Sequence, residues 1–195
     1  MYTWNACMIE KEVHRAGEIL NSGGSILYPT DTIWGIGCDA GKPESVQNIY
    51  RIKQRADFKS MLVLVNGIAM LEQYMESVPQ QAFDLLDKAS KPTTIIYPGA
   101  RKLAKNLLAP DGSIGIRITS DPFSKRLIEY TGYPIVSTSA NISGEAPPAT
   151  FHDISSSIRE QVDYVVNWRQ EDATPAAPSA IIKLEHDGSI TTIRP

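Results

Sequence analysis

Three observations predict an α/β fold built on a twisted, mixed β-sheet flanked by helices. Apolar stretches of strand length alternate along the chain with segments of helical periodicity. Turn and cap signals separate them, and the last two strand-like runs flank Asp187-Gly188, a hairpin signature that makes the sheet mixed rather than purely parallel. Ile9, Val13, Ala16, Ile19 and Leu20 form a helical stripe that stops at Gly23-Gly24, and Ser25 to Tyr28 follows as a strand. Val46, Ile49 and Ile52 mark the next helix face, and Met61 to Val65 a buried strand. Ile68 to Tyr74 and Gln80 to Lys88 read as helices, then Thr93 to Tyr97 and Ile114 to Ile118 as strands. Asp121-Pro122 is an N-cap followed by a proline at the first helical position, and Gly132 closes that helix at Thr131. Ile135 to Ser137, Tyr164 to Val166, Ala180 to Lys183 and Ile190 to Ile193 complete the strands. The Ala- and Pro-rich stretch from Gln170 to Ser179 is expected to be a long surface loop.

A chain of 195 residues with 42% hydrophobic composition implies one domain over residues 1–195, with no staple needed for its core. Its 19 Lys and Arg against 22 Asp and Glu leave a net charge of −3, too little positive field for a dedicated nucleic-acid coat. Cys7 and Cys38 have no paired-ligand spacing, and His14, His152 and His186 stand alone, so no resident metal is expected. The amino terminus lacks a signal-peptide pattern and no apolar run approaches the ~18 residues of a membrane span, so the expected location is the cytoplasm, away from membranes.

Four polar stretches interrupt the framework at strand ends, where open α/β sheets place ligands. In YPTDTIWGIG, Thr30 and Thr32 are two apart and offer two hydroxyls to one side. In IKQRADFKS, Lys53, Arg55 and Lys59 gather three cations near a strand mouth, which suits an oligophosphate or a solvated basic loop. On the strand Ile114 to Ile118, the isoleucines take one face and Gly115 and Arg117 the other, with Ser113 at the edge. An Arg on such a strand is either an internal ion pair or a clamp for a carboxylate. In IVSTSANISGEAPP, Ser137, Ser139 and Asn141 recur with period two, a polar ladder poor as core and good as ligand lining. No hydrolase triad accompanies these serines.

Through YPTDTIWGIGCDA, KQR with Lys59, GIRI, STSANISG and the closing segment from Pro178-Ser179 to Ile193-Arg194-Pro195, the chain resembles the YrdC-type threonylcarbamoyl-AMP synthase family, catalytic domain only. The resemblance covers nearly the whole chain and implies a YrdC-like sheet with a concave ligand groove and no further carboxy-terminal domain. It implies synthesis of threonylcarbamoyl-adenylate and pyrophosphate from L-threonine, bicarbonate and ATP, with Mg²⁺ carried in by the nucleotide and no protein-bound metal. The product would pass to the proteins that transfer the threonylcarbamoyl group to tRNA. By motif match, Lys53, Arg55, Lys59, Ser139 and Asn141 would hold the phosphates, with Ser113, Pro147, Ser179 and Arg194 completing the ATP pocket. Lys53, Arg55, Ser139 and Asn141 would carry catalysis, and Thr30, Thr32, Arg117 and Ser137 would hold threonine. The chain departs from the family in having Asp31 where Glu is usual, Leu64 where long members carry His, and Ala180 after Ser179 in place of a common Thr.

Two other readings belong to different classes. A non-catalytic RNA-binding module is weakened by the net charge, which leaves at most weak RNA binding, since counterion release needs many Lys and Arg contacts. A nucleotide-binding paralogue with another product is distinguished by assay.

Overall fold

The computed structural model describes residues 2–54, 61–185 and 188–195. Its elements follow the strand and helix grammar closely. The first helix, α1, runs Tyr2–Asn21, and the strands β1 (Ile26–Tyr28) and β2 (Gly35–Gly37) follow. Next come α2 (Pro43–Ile52), β3 (Leu62–Val65), α3 (Ile68–Tyr74), α4 (Gln80–Lys88), β4 (Thr93–Tyr97) and β5 (Ile114–Ile118). The chain continues through α5 (Pro122–Thr131), β6 (Ile135–Ser139), α6 (Ser156–Arg159), β7 (Tyr164–Val165), β8 (Ala180–Leu184) and β9 (Ile190–Arg194). Among the described residues these nine strands form one sheet in the order β7-β1-β2-β6-β3-β5-β4-β8-β9. It is mixed: β1 with β7, β3 with β5 and β4 with β8 are parallel, and the other neighbours antiparallel.

Strand alternation divides the core into two layers. Leu27, Val63, Val65, Ile114, Ile116 and Val136 face a layer that includes Val46, Ile49 and Ile52 of α2 and Leu71 of α3. Ile26, Tyr28, Leu64 and Ile135 face the other way, against Val13, Ala16 and Leu20 of α1 and Phe123, Leu127 and Ile128 of α5. Helices thus cover both faces, which lets neighbouring strands be apolar almost throughout.

Several boundaries differ from the sequence expectation. The α1 helix begins at Tyr2 instead of Ile9, β6 extends two residues to Ser139, and the short α6 and a 3₁₀ turn at Lys105–Leu107 carry too little periodicity to be foreseen. The strand β2 lies inside a segment that reads as a polar loop, because its glycines lack strand propensity. Tertiary packing requires those glycines: a Cβ on Gly37 would stand 2.7 Å from both the Tyr28 ring and the Val136 carbonyl. The β8–β9 hairpin forms as expected, with Gly188 at φ 82°; Asp187 and His186 lie outside the described residues. Among those described, no helix is long and apolar enough to cross a membrane.

The ends of α5 carry their caps as the sequence requires. The Asp121 carboxylate accepts the Ser124 N–H at 2.8 Å, and Gly132 closes the helix in the left-handed region at φ 77°. Nothing lies within 4 Å of a Cβ built on Gly132, so Gly132→Ala isolates the backbone term. It is expected to cost about 1 kcal/mol and to lower Tm by roughly 2–4 °C, as read by calorimetry.

Candidate active site

Beyond the reach of α1 and α5, the sheet face that they cover continues as the floor of a cavity. The registers place Gly35 beside Ser139, Leu62 beside Ser137, Leu64 beside Arg117, Gly115 beside Ile96, and Ile181 beside both Thr94 and Arg194. All of these except Leu64, which is buried under the helices, line a cavity of about 370 Å³. Seven strands therefore contribute to one site. Asn141, Glu145 and Pro147 form one rim and Pro178-Ser179 another. The Trp34 wall is backed by Phe151, with ring centroids 4.8 Å apart.

Eight of the residues singled out in the sequence meet on this lining: Thr32, Arg117, Ser137, Ser139, Asn141, Pro147, Ser179 and Arg194. The period-two ladder of Ser137, Ser139 and Asn141 lies along one wall. Arg55 and Lys59 lie outside the described residues.

Three others sit off the cavity wall, each for a local reason. Thr30 is fully buried, and its hydroxyl donates to the Ile33 carbonyl and accepts the Thr32 N–H, so it closes the turn that presents Thr32. Ser113 donates its N–H and hydroxyl to one oxygen of Asp111 at 3.0 and 2.6 Å, a turn at the start of β5. Those bonds hold the Asp111 carboxyl below the usual carboxylate range. Lys53 is 1% exposed, and its ammonium donates to the Ser139 and Asn141 carbonyls, the latter at 2.7 Å. The Lys53 carbonyl in turn accepts the Ser143 N–H at 2.9 Å. These bonds pin the end of the polar ladder in place.

Two guanidinium groups, of Arg117 and Arg194, and one carboxylate, of Glu145, carry the charge of the lining. Arg117 Nη2 lies 2.9 Å from Asp31 Oδ1, with the two side chains 3% and 7% exposed, so the ion-pair alternative for this residue is realised while the guanidinium still borders the cavity. Its Nε is buried with no hydrogen-bond partner in the structure, a costly state for a donor unless a ligand completes it. Arg194 donates from Nε to the Ser179 carbonyl at 2.7 Å. Burial, and then the Arg117 charge, lower the Arg194 pKa from its ordinary value, evidence that the two cations share one field. The Asn141 Oδ1 is also buried and unpaired, while its Nδ2 donates to the Ile142 and Glu145 carbonyls and shapes the turn. Tyr28, on the same face of the sheet, donates to the Val136 carbonyl at 3.3 Å, and burial raises its phenol pKa so that it stays neutral. Among the described residues no group of three or more His, Cys, Asp or Glu side chains is placed to hold a metal ion. Such a wall can take up an anion through two guanidinium groups and orient polar ligand groups through hydroxyls.

Several lining residues escaped the sequence reading. Trp34 and Thr94 look like core and strand positions; Thr94 contacts the cavity through its bond to Ser179, Oγ to Oγ at 2.8 Å. Gly115 carried a usable signal, since a glycine inside a strand often marks close approach of a ligand or backbone. A Cβ there would lie 3.1 Å from Thr94 Cγ2.

Fold and cavity together define an α/β protein with a hydroxyl-lined candidate site that holds two guanidinium groups, and comparison with known proteins gives that class a family. The Sua5/YciO/YrdC family model, described as telomere recombination, matches residues 18–195, and the chain belongs to that family. A relative from Pseudoalteromonas translucida named threonylcarbamoyl-AMP synthase is 32% identical over 151 residues, covering 76% of this chain and 81% of the relative. The crystal structure of E. coli YciO superposes with a TM-score of 0.81 at 27% identity, over 93% of this chain and 87% of that one. The crystal structure of P. abyssi Sua5 complexed with L-threonine matches 94% of this chain with a TM-score of 0.83. At 21% identity that likeness concerns the fold, and this chain spans 53% of that longer one.

Replacing the Lys53 ammonium by an apolar chain leaves the Ser139 and Asn141 carbonyls short of a donor. Lys53→Met is expected to cost about 2 kcal/mol and to lower Tm by roughly 4–8 °C, as thermal unfolding will show.

Proposed function

We propose that this chain is a threonylcarbamoyl-AMP synthase, joining L-threonine, bicarbonate and ATP into threonylcarbamoyl-adenylate with release of pyrophosphate. The observation that carries the reading is the convergence of Arg117, Arg194 and the Ser137–Ser139–Asn141 ladder on one cavity, in a chain whose relative bears that name. Arg117 takes the carboxylate of threonine, with Thr32 and Ser137 beside it. Ser139, Asn141, Ser179 and Arg194, with Pro147 at the rim, face the nucleotide. Arg55 and Lys59, in the sequence stretch after Lys53, supply further phosphate contacts. ATP enters with its Mg²⁺ as part of the substrate.

The threonine amine attacks the carbon of bicarbonate, giving a carbamate and water. A carbamate oxygen then attacks the α-phosphorus, the bond to the β-phosphate oxygen breaks, and pyrophosphate leaves. No side chain forms a covalent bond in this sequence. Acceleration comes from holding the carbamate and α-phosphorus together and from cations facing the charge that develops. The cavity of about 370 Å³ lies near the lower end of small-molecule sites, about 300–1,000 Å³. That size suits the amino acid and the reacting phosphate, with the rest of the nucleotide against the rim. The adenylate product is an activated acyl phosphate, which requires an acceptor: we assign that role to proteins transferring the threonylcarbamoyl group to tRNA, in the cytoplasm. Direct RNA binding is not favoured by a chain of net charge −3.

Pyrophosphate release from ATP and bicarbonate should depend strictly on L-threonine. L-serine, lacking one methyl group, should serve about 10–200-fold less well. Release indifferent to the amino acid would point instead to a nucleotide-binding paralogue with another product. Arg117→Ala should raise the threonine KM by roughly 10–100-fold, the loss of a charge-assisted bond, with the ATP KM little changed in steady-state assays.

A further inference from the structure

Asp31 does not border the cavity that holds Arg117. It lines a neighbouring cavity of about 600 Å³ that also contains Lys91, Ser120 and Lys125, so the carboxylate reaches Arg117 through the partition between the two. The turn that carries it is fixed from several sides. Its Oδ2 accepts the Ser120 N–H at 3.2 Å, the Thr30 hydroxyl closes the turn on Ile33, and Arg169 donates to the Thr30 carbonyl at 3.2 Å. Asp31 thus presents a fixed negative charge to one end of the guanidinium, at Nη2. The guanidinium has five N–H donors in a rigid fork, and one carboxylate oxygen does not exhaust them. Nε remains buried and without an acceptor, on a side chain that lines the substrate cavity, while Asp31 Oδ1 meets Nη2 as an ion pair and itself has no hydrogen-bond partner.

We propose that Asp31 is the positioning residue for Arg117, holding the Nη2 end from behind the cavity wall so that Nε is kept for the carboxylate of the amino-acid substrate. The assignment of that carboxylate rests on the function proposed above. The arrangement does two things at once. A buried cation beside a second cation, Arg194, is held in one orientation before any ligand arrives, and the donor left over is unsatisfied until a carboxylate completes it. Were Asp31 only a stand-in for the absent substrate carboxylate, removing its charge would tighten threonine binding. Its place behind the wall argues for the opposite result, because an incoming carboxylate meets the guanidinium from the other cavity.

The test compares Asp31→Asn with Asp31→Glu by thermal unfolding and by steady-state pyrophosphate release with each substrate varied. For a folded Asp31→Asn the expected result is a rise of about 10-fold or more in the threonine KM, with the ATP KM and kcat within about threefold. Asp31→Glu, which restores the charge, should bring the threonine KM back to within about threefold of the parent. The proposal is overturned if the folded Asn variant keeps or lowers the threonine KM. It is equally overturned if both KM values rise together, or if a folded Glu variant does not restore threonine binding. Should Asp31→Asn not fold, the parent protein decides through the Arg117 Nε–H resonance, assigned by its loss in Arg117→Lys. That resonance must move on adding L-threonine and not on adding L-threoninamide, which has no carboxylate; an unmoved resonance sinks the idea. Calorimetric titration of the parent with the same two probes separates the two layers of inference. Carboxylate-dependent binding without threonine-dependent pyrophosphate release would refute the proposed reaction and leave the Asp31–Arg117 assignment standing.

Discussion

Side chains along a strand alternate between the two faces of a sheet, and this constraint governs both the core and the site. Where α1 and α5 lie over one face, the positions that meet them include Ile26, Leu64 and Ile135, and they are buried. Two residues from Leu64 and Ile135 along β3 and β6 the same face carries Leu62 and Ser137, then Ser139, and on the neighbouring β5 it carries Gly115 and Arg117. The opposite face of those strands stays apolar against α2 and α3, through Val63, Ile114, Ile116 and Val136. The cavity is therefore an uncovered portion of the sheet, and its floor is as rigid as the hydrogen-bonded ladder beneath it. A polar group placed there moves only if a strand moves, the preorganisation that catalysis by positioning requires.

Burial of charge is the second consequence. Placing Arg117 on a nearly closed surface demands a counter-charge, and the structure supplies it from a loop more than eighty residues earlier, through Asp31. That loop is in turn tied to the amino-terminal end of α5 and to the segment after β7. Ser120 binds Asp31, Arg169 binds Asp121 and the Thr30 carbonyl, and burial raises the Asp121 pKa. Lys53 does similar service on the other side by gathering the carbonyls of Ser139 and Asn141. Backbone carbonyls and carboxylates that would otherwise be unpaired thus become the supports of the cavity-lining groups.

Much of this was legible locally. The Asp121-Pro122 start and Gly132 stop bounded α5 to the residue, because caps are written in a few adjacent side chains. Alternation in Ile114–Ile118 separated Arg117 from the isoleucines, and the period-two ladder brought Ser137, Ser139 and Asn141 to one side. Thr30 and Ser113 share the residue types of their pocket neighbours and turned out to close turns, since a hydroxyl serves whichever acceptor its backbone brings near. Lys53 is the clearest case: its cationic character was evident, but its acceptors stand 86 and 88 positions later in the chain.

The sequence by itself determined the fold class, the order of elements, the two faces of each strand and the identity of eight cavity-lining side chains, because these depend on local periodicity and short motifs. Only the tertiary structure decided that β2 is a strand, that Thr94 and Trp34 join the lining, and that Arg117 pairs with Asp31 across a partition between two cavities. Those outcomes depend on strand order and register, which bring together residues far apart in the chain, and no local pattern encodes the distance between them.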